Sequence, residues 1–335
     1  MTSVSVKVEG MDQVGEARRR ATAMAAGLGF GETDAGRTAV VVSECASNLV
    51  KHAGGGEILL SPLDGGGPAG LEILALDKGP GMRNPALCFQ DGYSTAGSPG
   101  TGLGAVRRLS SECNVYTEVE KGTALVARLR TGGTGNEEAW PTHTGGVCVP
   151  KPGEEVCGDG WAVREGAGFI AAMVVDGLGH GPSAADCARA AEEAFGEAYG
   201  RAPVEIVKAI HGALRAMRGA ALAVLRLDCA SREIRFAGIG NIAGAVYSGG
   251  NSRQMISHPG IVGHDIRRVR EATYEWPPGA LTLVYSDGIA THWSMDAYEG
   301  LGSMDVSLIA GVIYRDWRRG RDDATVLALR EGGMR

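Results

Sequence analysis

Val174-Val175-Asp176-Gly177-Leu178-Gly179-His180-Gly181-Pro182-Ser183 joins an apolar run, Phe169–Val175, to a helical pattern over residues 182–199. A run this short, closed by Asp-Gly, reads as a buried strand with a turn at its end. Pro182 suits the first turn of a helix, where a missing N–H leaves no bond unmade. Two other strands carry acids at their tips: Leu281–Tyr285 runs into Ser286-Asp287-Gly288, and Asp322-Asp323 stands just ahead of Thr325–Leu329. A fourth carboxylate position, Asp159, lies in Cys157-Gly158-Asp159-Gly160-Trp161. Any one Asp-Gly is an ordinary turn. Four such groups gathered in one place could not all stay ionised without cations, because like charges raise one another's pKa. Hard oxygen donors favour Mg²⁺ or Mn²⁺ over zinc.

Around these tips the pattern predicts further strands at 145–149, 156–164, 220–228, 232–239, 242–248 and 324–330, with helices at 203–217 and 303–317. Many strands with helices set aside suit two packed sheets flanked by helices. Residues 131–141 (TGGTGNEEAWP) lack periodicity and read as a linker, which divides the 335-residue chain into domains at 1–130 and 142–331. A hydrophobic content of 44% with 21% charged residues gives each half enough apolar material for its own core. The net charge of −6 has no long like-charge runs, which argues against nucleic acid or a membrane surface as partner. No apolar stretch approaches the ~18 residues of a membrane span, and a cytoplasmic protein is expected. Seven cysteines without a CxxC pair fit buried thiols in a reducing compartment, with neither zinc nor disulfides.

The first half reads as helices at 11–28 and 35–53 followed by strands at 57–62, 70–76, 114–120 and 123–130, an α+β arrangement. Glu44, Asn48 and His52 follow one another at i, i+4 and i+8 and share a helix face. By itself that triplet is either a solvated face or part of a site. The strand at 70–76 ends in Asp77-Lys78-Gly79-Pro80-Gly81, a carboxylate with glycines that let a flat ring approach the backbone. Gly92–Gly104, closing on Thr101-Gly102-Leu103-Gly104, opens a helical segment at 105–109. Glycines there expose orphan amides at the positive end of a helix, as a polyphosphate requires. The pattern does not follow a strand, which disfavours a dinucleotide fold.

Taken in order, Glu44-x3-Asn48, Asp77-x-Gly79-x-Gly81, the Thr101–Gly104 segment and Gly122-Thr123 resemble the nucleotide boxes of the GHKL ATPase/kinase superfamily. GYSTAGSPGTGLGAVRRLSSE is most similar to the serine kinases of stressosome partner-switching modules. The resemblance implies a Bergerat-type α/β sandwich that binds ATP and Mg²⁺. Asp77 would accept from the adenine amino group beside Gly79 and Gly81, and Thr123 would support the ring through water. Asn48 would hold Mg²⁺, while Thr101 and the Gly102, Leu103 and Gly104 amides would cradle phosphate. Glu44 would orient or deprotonate the attacking serine.

The VVDGLGHGPS element, SDG and DDAT together resemble the SpoIIE-type branch of the metal-dependent PPM phosphatases, over about residues 144–330. That resemblance implies a PPM-type α-β-β-α sandwich with two Mn²⁺ or Mg²⁺ ions. Asp159, Asp176, Asp287, Asp322 and the Gly177 carbonyl would be ligands. Asp323 stands where relatives often have Asn, so which of Asp322 and Asp323 binds metal stays open. His180 reads as a loop-ordering residue ahead of a general acid, and Gly238–Asn241 as packing beside the metal site.

The two resemblances together imply a bifunctional switch: a serine/threonine kinase of a STAS-type antagonist or scaffold protein, joined to a phosphoserine/phosphothreonine phosphatase. A sigma factor or a second phosphatase is a further partner they allow. Two alternatives stand beside this reading. The first half is an ATP-binding or anti-sigma docking module without catalysis, or it is a sensor that sets the phosphatase rate.

Overall fold

The computed structural model describes residues 2–63, 68–90, 102–132, 142–266 and 268–331. Two compact units divide the chain, one within Ser3–Ala139 and one within Trp140–Arg335. Residues 133–141, most of the expected linker, lie outside the described residues.

The first unit runs β1 (Val4–Val8), α1 (Met11–Gly27), α2 (Glu32–Ala53), β2 (Gly56–Leu63), β3 (Gly70–Leu76), a short α3 (Pro85–Cys88), α4 (Gly102–Leu109), β4 (Glu112–Glu118) and β5 (Gly122–Arg130). Its strands form one antiparallel sheet in the order β1-β2-β3-β5-β4. Alanines at positions 17, 21 and 25 are buried on α1, which packs chiefly on α2 and also meets β1, β2 and β3, and Val41, Cys45 and Leu49 of α2 share the core with Val8, Ile58, Ile73 and Leu125. Each such buried aliphatic side chain contributes ~1.5–3 kcal/mol. Gly54 ends α2 in the left-handed region at φ 72°, a conformation that glycine adopts without a Cβ clash.

The second unit runs β6 (Thr142–Val149), β7 (Asp159–Gly166), β8 (Phe169–Gly177), α5 (Pro182–Ala198), α6 (Pro203–Ala213), β9 (Ala220–Asp228), β10 (Glu233–Ile239), β11 (Ala243–Ser248), β12 (Asn251–Met255), β13 (Ala272–Glu275), β14 (Leu281–Tyr285), α7 (Val306–Trp317) and β15 (Ala324–Glu331). Two antiparallel sheets result, β13-β10-β9-β8-β7 and β12-β11-β14-β15-β6. Their inner faces share one core: Trp161, Val174, Leu225 and Phe236 from the first sheet meet Val246, Val284 and Leu327 from the second. The opposite face of the first sheet, with Met173, Val175 and Leu222, is covered by Cys187 and Phe195 of α5 and Ile206 and Ile210 of α6. α7 lies on β6 and β15, so close that a Cβ on Gly145 would sit 2.5 Å from Ser307 Oγ. This is the expected α-β-β-α sandwich. Among the described residues no helix is long and apolar enough to cross a membrane.

Candidate active sites

In the second unit the strand register itself brings two acids together. Asp159 of β7 pairs directly with Asp176 of β8, and directly opposed side chains stand ~5 Å apart at Cβ on one face of the sheet. That face is the inner one, since Asp176 continues the alternation of Ala172 and Val174. From the other sheet, Ser286 continues the alternation of Val284, and Thr325 and Asp323 that of Leu327. The space between the sheets is therefore apolar along its length and turns acidic at one end.

Burial and crowding set the protonation of this end. Asp159, 3% exposed, is pushed up to about 7, first by burial and then by the charge of Asp323, against the Ser286 hydroxyl that donates to its Oδ2 at 2.6 Å. Asp176 is pushed up to about 9 by burial and by the charges of Asp159, Asp287, Asp322 and Asp323. Asp287 is raised by burial and by Asp322, while Arg319 and a hydrogen bond from Asn241 oppose this. Five aspartates thus act on one another from four separate stretches of chain.

Asp322 and Asp323 divide their tasks. Asp323, 2% exposed, accepts from Lys151 N at 2.7 Å through Oδ1 and from Gly158 N at 2.8 Å through Oδ2. It binds the segment between β6 and β7 to the start of β15. Asp322 is exposed, with Oδ1 accepting from the Asp323 amide at 3.0 Å, which leaves it the better placed of the two to offer oxygen to a cation. Gly177 has no room for a side chain, because a Cβ would lie 2.5 Å from the Ala184 carbonyl in the first turn of α5. His180 sets Nδ1 2.6 Å from Glu154 Oε1 and so ties the loop after β8 to the loop before β7.

Two further residues belong to this end. Asn241 Nδ2 donates to Asp287 Oδ2 at 2.7 Å, more than the packing expected of it. Ser286, which the sequence reading passed over, bridges the sheets by donating to Asp159 while its Oγ accepts from Thr325 N at 3.0 Å. Its only sequence signal is its place in Ser-Asp-Gly.

The donor set is all oxygen, and burial first and mutual repulsion second raise its carboxyl pKa values, which fits hard divalent ions. As they stand the side chains do not close on one point: among the described residues no three Asp, Glu, His or Cys groups are gathered tightly enough to hold an ion. Mutual repulsion reaches further than a coordination bond, so the two observations agree. A cavity of about 550 Å³ between the Ser248–Asn251 turn and the segment around Met295 and Gly302 includes none of these carboxylates.

In the first unit α2 acts as a ruler. Near its end, Ala53 touches Gly79, where a Cβ would lie 2.6 Å from Ala53 Cα. Asn48 and Glu44 stand ~7 Å and ~13 Å back along the axis. At that far point α4 begins: a Cβ on Gly102 would lie 2.6 Å from Glu44 Oε2 and 3.9 Å from Asn48 Oδ1. The first amides of α4, at Gly102, Leu103 and Gly104, which a helix leaves without a partner of its own, therefore open beside a carboxylate and a carboxamide.

At the near end, Asp77 Oδ1 accepts from Gly79 N at 2.8 Å and Thr123 N at 3.1 Å, and Asp77 N donates to Thr123 O at 2.9 Å. Gly81 (φ 67°) and Gly122 (φ 99°) take left-handed conformations, and a Cβ on either would strike a backbone carbonyl, of Glu118 and Asp77 respectively. Asp77, Gly79, Gly81 and Thr123 thus share one corner of the sheet, with Glu44, Asn48 and Gly102–Gly104 along the helix from it. Thr101 and the glycine-rich stretch from residue 92 fall outside the described residues.

Comparison with known proteins follows the same division. Residues 9–129 match the histidine kinase-like ATPase domain, and residues 166–331 match stage II sporulation protein E (SpoIIE). The first half is 37% identical over 111 residues to the serine/threonine-protein kinase RsbT of Bacillus subtilis (strain 168), covering 33% of this chain and 84% of RsbT. The second is 26% identical over 141 residues to the phosphoserine phosphatase RsbX of the same organism, covering 42% of this chain and 70% of RsbX. Among solved structures, a chain from a study of the bacterial stressosome, described as a modular system adapted to control secondary messenger signaling, superposes with a TM-score of 0.53 at 29% identity. The match covers 56% of this chain and 99% of that one.

Proposed function

We propose, for a chain that belongs with RsbT to the histidine kinase-like ATPases in its first half and that matches SpoIIE and resembles RsbX in its second, that it is a two-domain regulator of protein phosphorylation in a partner-switching pathway. Its second domain removes phosphate from serine or threonine in a metal-dependent reaction, and its first transfers phosphate from ATP to a serine or threonine of a STAS-type protein.

The observation that carries the phosphatase reading is the convergence of Asp159, Asp176, Asp287 and Asp322 at one end of the sandwich. Two Mn²⁺ or Mg²⁺ ions held there would lower the pKa of a shared water and stabilise the leaving serine oxygen. The protein's own groups orient the donors: Ser286 fixes Asp159 and Asn241 fixes Asp287. For the kinase reading, Asp77 and Thr123 form the adenine corner, Asn48 would hold Mg²⁺, the start of α4 receives phosphate and Glu44 serves the attacking hydroxyl. In-line phosphoryl transfer needs chiefly such positioning and charge neutralisation.

Incubating the full chain with Mn²⁺ and a phosphoserine-bearing STAS protein should release phosphate, and Asp287→Ala should stop it. With Mg²⁺ and ATP, the unphosphorylated STAS protein should gain phosphate, and Glu44→Ala should prevent this. No transfer to a verified partner would reject the kinase half.

The contact of Glu44 with the first residue of α4 favours a second reading of the first domain as an ATP sensor, since a nucleotide there would shift α4 directly. It predicts a phosphatase rate that still responds to ATP in Glu44→Ala. Unchecked action of both domains on one substrate would merely hydrolyse ATP, so different substrates or partner control are expected.

A further inference from the structure

We propose that Arg218 and Arg319, one from each side of the sandwich, clamp the phosphoryl group of the substrate at the acidic end of the second unit. The inference rests on the phosphatase reading and adds the groups that recognise the substrate.

Arg218 lies two residues ahead of β9, opposite the turn that leaves Asp176. Its neighbour Gly219 accepts from Leu178 N at 3.0 Å, and its own carbonyl lies 2.9 Å from His264 Nε2, so the backbone is held from both sides. The guanidinium passes over the loop after β8: a Cβ on Gly179, a residue at φ 90°, would lie 3.0 Å from Arg218 Nη1. Arg319 stands at the other sheet. Its amide donates to Gly288 O at 2.8 Å, which fastens it to the Ser286-Asp287-Gly288 turn, and its charge acts on Asp287.

Both arginines are exposed, and among the described residues neither is in an ion pair with a carboxylate. Each is attached to the turn that carries a candidate metal ligand, yet neither neutralises that ligand by direct pairing. A planar guanidinium fork suits phosphate oxygens geometrically, in a way that the point charge of lysine does not. Two such forks entering from opposite sheets would hold a phosphate monoester between them without taking part in bond making.

The test uses the full chain loaded with Mn²⁺ and inorganic phosphate as the probe. Phosphate affinity is read by calorimetry, and Mn²⁺ affinity by the free-ion electron paramagnetic resonance signal. Arg218→Ala and Arg319→Ala should each weaken phosphate binding roughly tenfold or more and raise KM for p-nitrophenyl phosphate in proportion. Mn²⁺ affinity should stay within about twofold, and the lysine variants should recover part of the loss. Wild-type phosphate affinity in either alanine variant overturns the clamp, as does a loss of Mn²⁺ affinity that parallels the loss of phosphate. A wild-type chain without Mn²⁺-dependent hydrolysis overturns the phosphatase reading and the clamp together. Hydrolysis that persists with unchanged phosphate affinity in the variants overturns the clamp alone.

Discussion

Replacing Asp176 by Asn should stabilise the metal-free second unit while destroying its response to metal. In the folded protein burial and neighbouring carboxylates hold Asp176 at about 9, against 3.8 when unperturbed. Between those values the folded side chain keeps a proton that the unfolded chain has released. The unfolded state then binds fewer protons, so stability contributed at this site falls as pH rises from about 4 to about 9. At ~1.4 kcal/mol per pH unit, ionisable Asp176 costs at most ~4 kcal/mol at pH 7 and under ~2 kcal/mol at pH 5, and Asn avoids this. Realising half of the pH 7 ceiling would raise the melting temperature of a unit of this size by roughly 4–8 °C. Tryptophan fluorescence isolates that unit in the full chain, because Trp140, Trp161, Trp276, Trp293 and Trp317 are the protein's five tryptophans. Melts in EDTA at pH 5 and pH 7 should show the gain growing with pH. With saturating Mn²⁺ the order should invert, since only the wild type gains binding energy. Equal melting of the two proteins in EDTA at both pH values would refute the crowded-carboxylate argument.

Other substitutions probe single contacts. Asp323→Ala removes the acceptor of two backbone amides and should cost ~2–4 kcal/mol in urea unfolding, whereas Asp322→Ala should leave unfolding in EDTA nearly unchanged and weaken Mn²⁺ binding tenfold or more. Asn241→Ala frees Asp287 from its orienting bond and should lower Mn²⁺ affinity ~10–100-fold by calorimetry. Gly102→Ala places a methyl 2.6 Å from Glu44 Oε2, so ATP-dependent labelling of a STAS protein should fall at least tenfold while the circular dichroism melt moves little.

The element pattern was largely legible because most strands and helices carry their own periodicity. The absences have physical reasons. β12 presents Asn251, Ser252, Arg253 and Gln254 to solvent, so only its pairing with β11 makes it a strand. β13 is likewise a short edge strand, and β1 alternates visibly but is only five residues long. The helix expected over 203–217 stops at Ala213, because the chain must turn there to bring Gly219 beside Leu178. At the acidic end, Asp176 and Asp287 announce themselves by ending apolar strands. Asn241, Ser286 and the anchoring task of Asp323 do not, because their partners are 46, 127 and 172 residues away in sequence. Such roles are set by register between strands, which local pattern does not encode.

The seam between the two sheets has a mechanical consequence. Asp159 and Asp176 hang from one layer, Asp287 and Asp322 from the other, and the Ser286 hydroxyl is a slender stitch across the gap. A divalent ion shared across that seam would rivet the layers at their open margin. Amide exchange at the tips of β7, β8 and β14 should accordingly slow when Mn²⁺ is added, while the opposite rim of the sandwich keeps its own pace.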